Sequence, residues 1–304
     1  MPSSSTRSFT RRGFAAASLA GAASAASGFQ TSKARVIRQP GSSVRLALNA
    51  YSFNQPLRDK SIDWNGVVDF CAQQGILALD ATGYYFDSYP KVPSPATIHA
   101  LKRHAFLNGV SICGTGVRND FAVTDAAARA RDVTMVKEWI EAASLLGASV
   151  IRVFTGLKVA EGTTFDKTLE WMIPAFQECA AHGARHGVIV GLQNHNDFAR
   201  TAAETIRITE AVNSEWFGVI LDVGSLRQAD PYDEIAKLQP YAVSWQLKES
   251  VWFGAKEVPT DLERVKAIID KGGYRGVLPI ETLGAGDPKV KLARFLEKVR
   301  AVFG

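Results

Sequence analysis

The stretch Gly187–Asp197, GVIVGLQNHND, decides how the rest of the chain reads, because three later stretches repeat its design. Side chains alternate along a β-strand. Val188, Val190 and Leu192 therefore share one side, and Ile189, Gly191, Gln193 and His195 the other. One side is wholly apolar; the other begins small and apolar and turns polar at its C-terminal end. In Phe217–Ser225, FGVILDVGS, Val219, Leu221 and Val223 oppose Gly218, Ile220 and Asp222. In Tyr241–Ser250, YAVSWQLKES, Tyr241, Val243, Trp245 and Leu247 oppose Ala242, Ser244, Gln246 and Lys248. In Gly276–Thr282, GVLPIET, Leu278 and Ile280 oppose Val277, Pro279 and Glu281.

A closed parallel barrel asks for this pattern. Its outer strand face packs on helices, and its inner face fills the interior and becomes polar at the mouth. Gln193, Asp222, Gln246 and Glu281 then become inward polar groups at the C-terminal ends of four successive strands. Their spacings of 29, 24 and 35 residues are close to the roughly 30 of one strand–helix unit when about 250 residues supply eight.

The remainder of the chain alternates in the same way. Strands are expected at Arg45–Ala50, Ile76–Asp80, Val110–Gly114 and Ser149–Phe154. Asp63 and the Ser94-Pro95 pair mark helix starts, and Gly75, Gly109 and Gly147 mark helix stops. Helices are expected over 64–74, 94–108, 126–146, 166–186, 201–212, 232–238, 261–271 and 287–302. Eight strands each followed by a helix predict an α/β (β/α)8 TIM barrel in a single domain over 44–304. An open doubly wound sheet is the alternative, and no GxGxxG follows the first strand to support a dinucleotide site.

The first residues read differently. Met1–Phe29 holds Arg7, Arg11 and Arg12, no acid, and an Ala/Gly/Ser-rich run over Ala15–Ala26. With Thr10-Arg11-Arg12-Gly13-Phe14 this has the layout of a twin-arginine signal peptide over residues 1–27, followed by a linker to residue 43. The expected destination is the periplasm or the exterior. The apolar run is too short and too weak for a membrane anchor. Residues 1–43 carry six of the 35 Lys+Arg and none of the 30 Asp+Glu, which leaves 29 against 30 for the barrel. A barrel with a net charge of −1 gives no reason to expect a nucleic-acid or anionic-membrane partner. Three widely separated cysteines in apolar contexts, Cys71, Cys113 and Cys179, predict free thiols.

Gln193-Asn194-His195, Leu221-Asp222-Val223-Gly224, Gln246-Leu247-Lys248-Glu249 and Leu278-Pro279-Ile280-Glu281 carry a family resemblance. Over Val44–Gly304 the chain resembles the xylose isomerase-like barrels of sugar isomerases, sugar epimerases and type-four apurinic endonucleases, in particular exported sugar phosphate isomerase/epimerase-like proteins. The resemblance implies a Glu, Asp, His, Glu set at the strand ends that holds one divalent cation, with the two Glu residues moving the substrate proton. Here Asp222 and Glu281 match that set, whereas Gln193 stands in place of Glu and Gln246 in place of His. Ser225 takes a position where a substrate-contacting His is common. As four oxygen donors, Gln193, Asp222, Gln246 and Glu281 suit a hard cation such as Mn, Mg or Ca better than zinc.

These residues set the functional expectation: a small-molecule carbohydrate substrate and a proton moved next to a carbonyl, by isomerisation, epimerisation or elimination/hydration. Glu281 is the expected base and Lys248 the cation for an enolate oxygen. His195 is a candidate acid/base or substrate donor. Arg152, flanked by Ile151 and Val153, is costly to bury unpaired, and Asp80 or a substrate can partner it. Ser225 and the loop aromatic Trp252 complete the expected substrate contacts. His99, His104, His182 and His186 fall on helices, which argues against an endonuclease-type zinc cluster. The rival expectation is a catalytically silent sugar-binding barrel with a degenerate metal site.

Overall fold

The computed structural model describes residues 32–304; the expected signal peptide lies outside the described residues. From the N-terminus, β1 (Arg45–Asn49) leads through a short α1 (Asn54–Arg58) to α2 (Trp64–Gln73). There follow β2 (Ala78–Asp80), α3 (Pro95–Leu107), β3 (Ser111–Gly116), α4 (Ala126–Leu146), β4 (Val150–Val153) and α5 (Phe165–His186). The second half contains β5 (Ile189–Gln193), α6 (Ala202–Val212), β6 (Phe217–Asp222), α7 (Pro231–Leu238) and β7 (Ala242–Lys248). A hairpin of β8 (Ser250–Phe253) and β9 (Lys256–Pro259) precedes α8 (Leu262–Lys271), β10 (Val277–Glu281) and α9 (Pro288–Phe303).

Eight of these strands pair in parallel around a closed ring, in the order β1, β10, β7, β6, β5, β4, β3, β2. This is the expected barrel. The register fixes the level of the polar strand ends: Asn49 pairs with Asp80, Asp222 with Gln246, and Glu281 with Lys248. Outward residues such as Leu48, Leu221, Trp245 and Ile280 are fully buried under the helix layer.

The helices begin where local chemistry satisfies their first free N–H groups. Asp63, Ser94, Asp125, Thr164, Asp230, Asp261 and Asp287 each accept from a backbone N–H of the first turn. Thr201 and Glu204 form a reciprocal capping box on α6. Gly147 closes α4 at φ 84°, a left-handed conformation costly for a residue with a Cβ.

The later part of the expected linker is seated on the barrel. Arg38 Nη2 donates to the Ala242 carbonyl at 2.8 Å, and its guanidinium lies 5.3 Å from the centre of the Tyr274 ring. Val36 and Gly41 donate to the carbonyls of Pro240 and Asp270, both at 2.9 Å. Residues 36–41 thus run beneath the N-terminal ends of β7 and β10, because their backbone finds fixed partners there. Cys71, Cys113 and Cys179 are free, and Cys71 and Cys179 are buried. Among the described residues no helix is long and apolar enough to cross a membrane.

Candidate active site

The strand alternation delivers five side chains to one point. Gln193 ends β5, Asp222 ends β6, Gln246 and Lys248 lie one pleat apart on β7, and Glu281 ends β10. All five are at least nine-tenths buried. Asp222 is the hub. Its Oδ2 accepts from Gln193 Nε2 at 2.6 Å, Ser225 Oγ at 2.7 Å and Lys248 Nζ at 2.7 Å, and its Oδ1 accepts from the Gly224 N–H at 2.9 Å. Lys248 Nζ also lies 3.4 Å from Glu281 Oε1. One ammonium therefore bridges two buried carboxylates.

The electrostatics follow. Burial works against the charged Lys248, but Asp222 and Glu281 outweigh it and hold its pKa above the ordinary lysine value. Burial also works against an ionised Asp222. Lys248 and the Ser225 hydroxyl overcome it and keep that carboxyl below its usual range. Glu281 goes the other way: burial raises it, Lys248 compensates only in part, and the Asp222 charge adds to the rise. Asp80 is lifted to about 6 by burial, against the pull of Arg152. The mouth thus holds one carboxylate fixed in its charged form and another, Glu281, with an increased affinity for a proton.

The same contacts test the site as a divalent-ion site. Asp222 Oδ2 already faces three donors, so Gln193 must turn its amide nitrogen, not its oxygen, toward it. That nitrogen also donates to Gln246 Oε1 at 2.8 Å, which consumes the second amide oxygen. The Lys248 ammonium occupies the position between Asp222 and Glu281 where a cation would have to bind. Among the expected ligands, Gln193 Oε1 is buried without a hydrogen-bond partner, Glu281 meets Lys248 only at 3.4 Å, and the orphan on Gln246 is Nε2, a donor. The donor set as arranged does not fit a divalent cation, because an ammonium and an amide N–H point where a metal needs lone pairs.

Above this cluster opens a cavity of about 780 Å³. Gln193, Gln246, Lys248 and Glu281 form part of its wall with His195, Arg152, Tyr51 and Tyr84. His195 Nδ1 is 2.6 Å from Asp197 Oδ2, and its ring meets Phe154 edge-on at 5.1 Å. Other expected contacts lie elsewhere. Ser225 is buried beneath the cavity, where its hydroxyl holds Asp222. Asp80 lies below the lining at the end of β2. Trp252 is on the β8–β9 hairpin, with the Arg227 guanidinium 3.8 Å from its ring centre, away from the cavity. The cavity also recruits Arg118, Asn119, Lys291 and the loop Thr282–Gly286, none of which the strand pattern singles out. Their signal was positional only: each directly follows a strand end or opens the next helix.

A second cluster lies outside the mouth, toward the C-terminal end of α5. His182 Nε2 is 3.0 Å and His186 Nε2 4.0 Å from Glu141 Oε1 of α4. These ligand atoms lie within 4.8 Å of one another. His182 is buried, which lowers its pKa, and Arg185 Nη2 sits 2.9 Å from its Nδ1.

Comparison with known proteins agrees with this architecture. No curated protein matches the chain in sequence. D-psicose 3-epimerase from Clostridium cellulolyticum H10, solved with D-tagatose, is similar in structure, with a TM-score of 0.69 at 15% identity over 86% of this chain and 99% of that one. 3-Keto-D-glucoside 4-epimerase, YcjR, from E. coli has a TM-score of 0.65 at 12% identity, over 86% and 100% of the two chains. The IolI protein, solved with a zinc atom, reaches 0.69 at 13%, over 86% and 98%. The family model described as "Xylose isomerase-like TIM barrel" matches residues 68–299, so the chain belongs to the xylose isomerase-like TIM barrel family.

Proposed function

We propose that the protein is a sugar-modifying enzyme that moves a proton next to the carbonyl of a keto-sugar, with Glu281 as base and the Lys248 ammonium in place of a metal ion. The observation that carries this reading is the Lys248 bridge between Asp222 and Glu281 on the cavity wall. An ammonium has three N–H donors. Asp222 takes one at 2.7 Å and Glu281 lies at ion-pair distance, 3.4 Å, which leaves N–H capacity for a substrate oxygen.

Glu281, as carboxylate, takes the proton from the carbon beside the carbonyl. The C–H electron pair passes to the carbonyl oxygen, and the resulting enolate oxygen accepts from Lys248. The raised proton affinity of Glu281 strengthens it as a base. The Asp222 contact keeps Lys248 protonated throughout. The proton then returns on the same face to the former carbonyl carbon while the neighbouring hydroxyl passes its proton to the enolate oxygen, or Glu281 gives the proton to a hydroxyl leaving from the next carbon as the enolate collapses. Gln193 has no titratable proton, so the second base of a two-face epimerase is missing at that position. His195, on the cavity wall, or water is left to protonate the opposite face.

The two orphaned amide atoms support a sugar ligand. Gln193 Oε1 is an acceptor and Gln246 Nε2 a donor, and a sugar hydroxyl both donates and accepts. The epimerases among the structural relatives act on sugars, as their names state. The rival reading, a silent binder, predicts binding without chemistry. The test is exchange of keto-sugar α-protons with heavy water, followed by NMR on wild type and Glu281→Gln. Exchange by wild type that falls roughly 10²- to 10⁴-fold in the variant supports the enzyme. Sugar binding with no exchange supports the binder and refutes the proposal.

A further inference from the structure

We infer that the cavity takes a keto-sugar carrying an anionic group, a carboxylate or a phosphate, and that Arg152 and Arg118, both against the Tyr84 ring, form the subsite for that group. The inference rests on the reading of the cavity as a keto-sugar site and specifies which sugars fit it.

Arg152 carries the argument. It projects inward from β4, is 3% exposed and forms part of the cavity wall. A buried guanidinium is retained when something compensates its charge. Among the described residues Arg152 makes no ion pair within 4 Å, and its one hydrogen bond runs from Nη2 to the Tyr84 hydroxyl at 3.0 Å. Its Nε is buried without a partner. Burial works against its charge, and Tyr84, Asp80 and Glu281 hold it protonated, but neither carboxylate comes within ion-pair reach.

Aromatic rings hold the guanidinium in place. Its carbon is 4.8 Å from the centre of the Phe154 ring and 5.4 Å from that of Tyr84. Aromatic contacts of this kind engage a guanidinium without consuming the N–H groups that bind an oxyanion. Asn119 fixes the Phe154 backbone from both sides, donating to its carbonyl at 2.7 Å and accepting from its N–H at 2.9 Å. Gly116 leaves the room: a Cβ there would stand 2.9 Å from Arg152 Nε and 3.1 Å from its Cζ. The second cation, Arg118, lies with its guanidinium 4.9 Å from the same Tyr84 ring, is exposed, and makes no side-chain ion pair among the described residues. Two cations thus lie against one ring in the cavity wall, while the wall's Lys248 and Lys291 are already matched by Asp222, Glu281 and Glu249.

The test is calorimetric titration of the full chain with D-fructose, D-fructose 6-phosphate and 2-keto-D-gluconate, at fixed ionic strength. The inference expects at least one of the two anions to bind more tightly than D-fructose, and the preferred one identifies phosphate or carboxylate as the group recognised. Arg152→Gln should reduce that preference roughly 10- to 100-fold, the worth of a hydrogen-bonded charge contact. Arg118→Gln, an exposed substitution with little bearing on folding, should reduce it several-fold and decides the matter if Arg152→Gln does not fold. Equal binding of neutral and anionic sugars by wild type would overturn the inference and leave the keto-sugar reading standing. So would a preference that survives Arg118→Gln and a folded Arg152→Gln unchanged. Binding of none of the three would remove both.

Discussion

Lys248→Met replaces the bridging ammonium with an apolar side chain of similar length. In the parent, Asp222 is fully buried and Glu281 nearly so, and Lys248 reaches both, at 2.7 and 3.4 Å. Removing one partner of a buried charge pair costs about 3–5 kcal/mol, because the remaining charge is left uncompensated. At about 2–4 °C of melting temperature per kcal/mol for a chain of this size, the expected fall is roughly 6–20 °C at pH 8. The pH dependence separates this cause from simple loss of packing. In the parent, the Asp222 pKa is held below the ordinary value. Its contribution to stability is therefore complete above the unfolded pKa and is lost as pH falls through the folded one. In the variant, burial meets only the weaker opposition of the Ser225 hydroxyl at Asp222 and of Arg152 at Glu281, and should lift both folded pKa values above the unfolded ones. Each then destabilises the fold once pH exceeds the unfolded value. The difference between parent and variant should be largest at pH 8 and shrink towards pH 4. Urea unfolding at a series of pH values measures it. A loss below about 1 kcal/mol, or one of equal size at pH 4.5 and pH 8, would show that Lys248 is not the charge that balances this site.

Three further outcomes are expected. Gly116→Ala should push Arg152 from its seat and cost about 1–3 kcal/mol by overpacking, read from denaturant midpoints; an unchanged midpoint would mean the guanidinium has room to move. Gln193→Glu combined with Gln246→His and Lys248→Met should create Mn²⁺ affinity that the parent mouth lacks, by adding a carboxylate and an imidazole and removing the ammonium; calorimetry without a gain would show that these side chains do not converge on one ion position. Replacing Arg11 and Arg12 by Lys should retain the precursor in the cytoplasm if the twin-arginine expectation is right, and normal secretion of that variant, followed by immunoblot of cell fractions, counts against it.

The barrel was legible in the sequence because a strand buried on both faces leaves two signals at once. Apolar residues recur on the helix-facing side, and polarity appears only at the last inward position. That rule alone turned Gln193, Asp222, Gln246, Lys248 and Glu281 toward one mouth, since a one-residue error would turn all of them toward the helices. The β8–β9 hairpin was not legible. It is four residues a side, follows directly on β7 and turns at Gly254, so it reads as the end of the preceding strand and its loop. The misplacement of Trp252 follows from it. Arg118, Lys291 and the 282–286 loop escaped for another reason: a cavity wall built from loops of different strands has no sequence period. Ser225 was expected to contact substrate and instead holds Asp222, because position along the chain cannot say whether a hydroxyl faces ligand or carboxylate.

The account stands on Lys248 and Glu281 performing the proton transfer by themselves, and one measurement addresses this directly. Wild-type protein is stripped of metal by chelation and dialysis, its metal content is checked by mass spectrometry, and α-proton exchange of a keto-sugar in heavy water is followed before and after Mn²⁺ is restored. The predicted result is exchange by the stripped protein at the rate of the untreated one, unchanged by added Mn²⁺ and lost in Glu281→Gln. Exchange that vanishes on stripping and returns with the ion would contradict it.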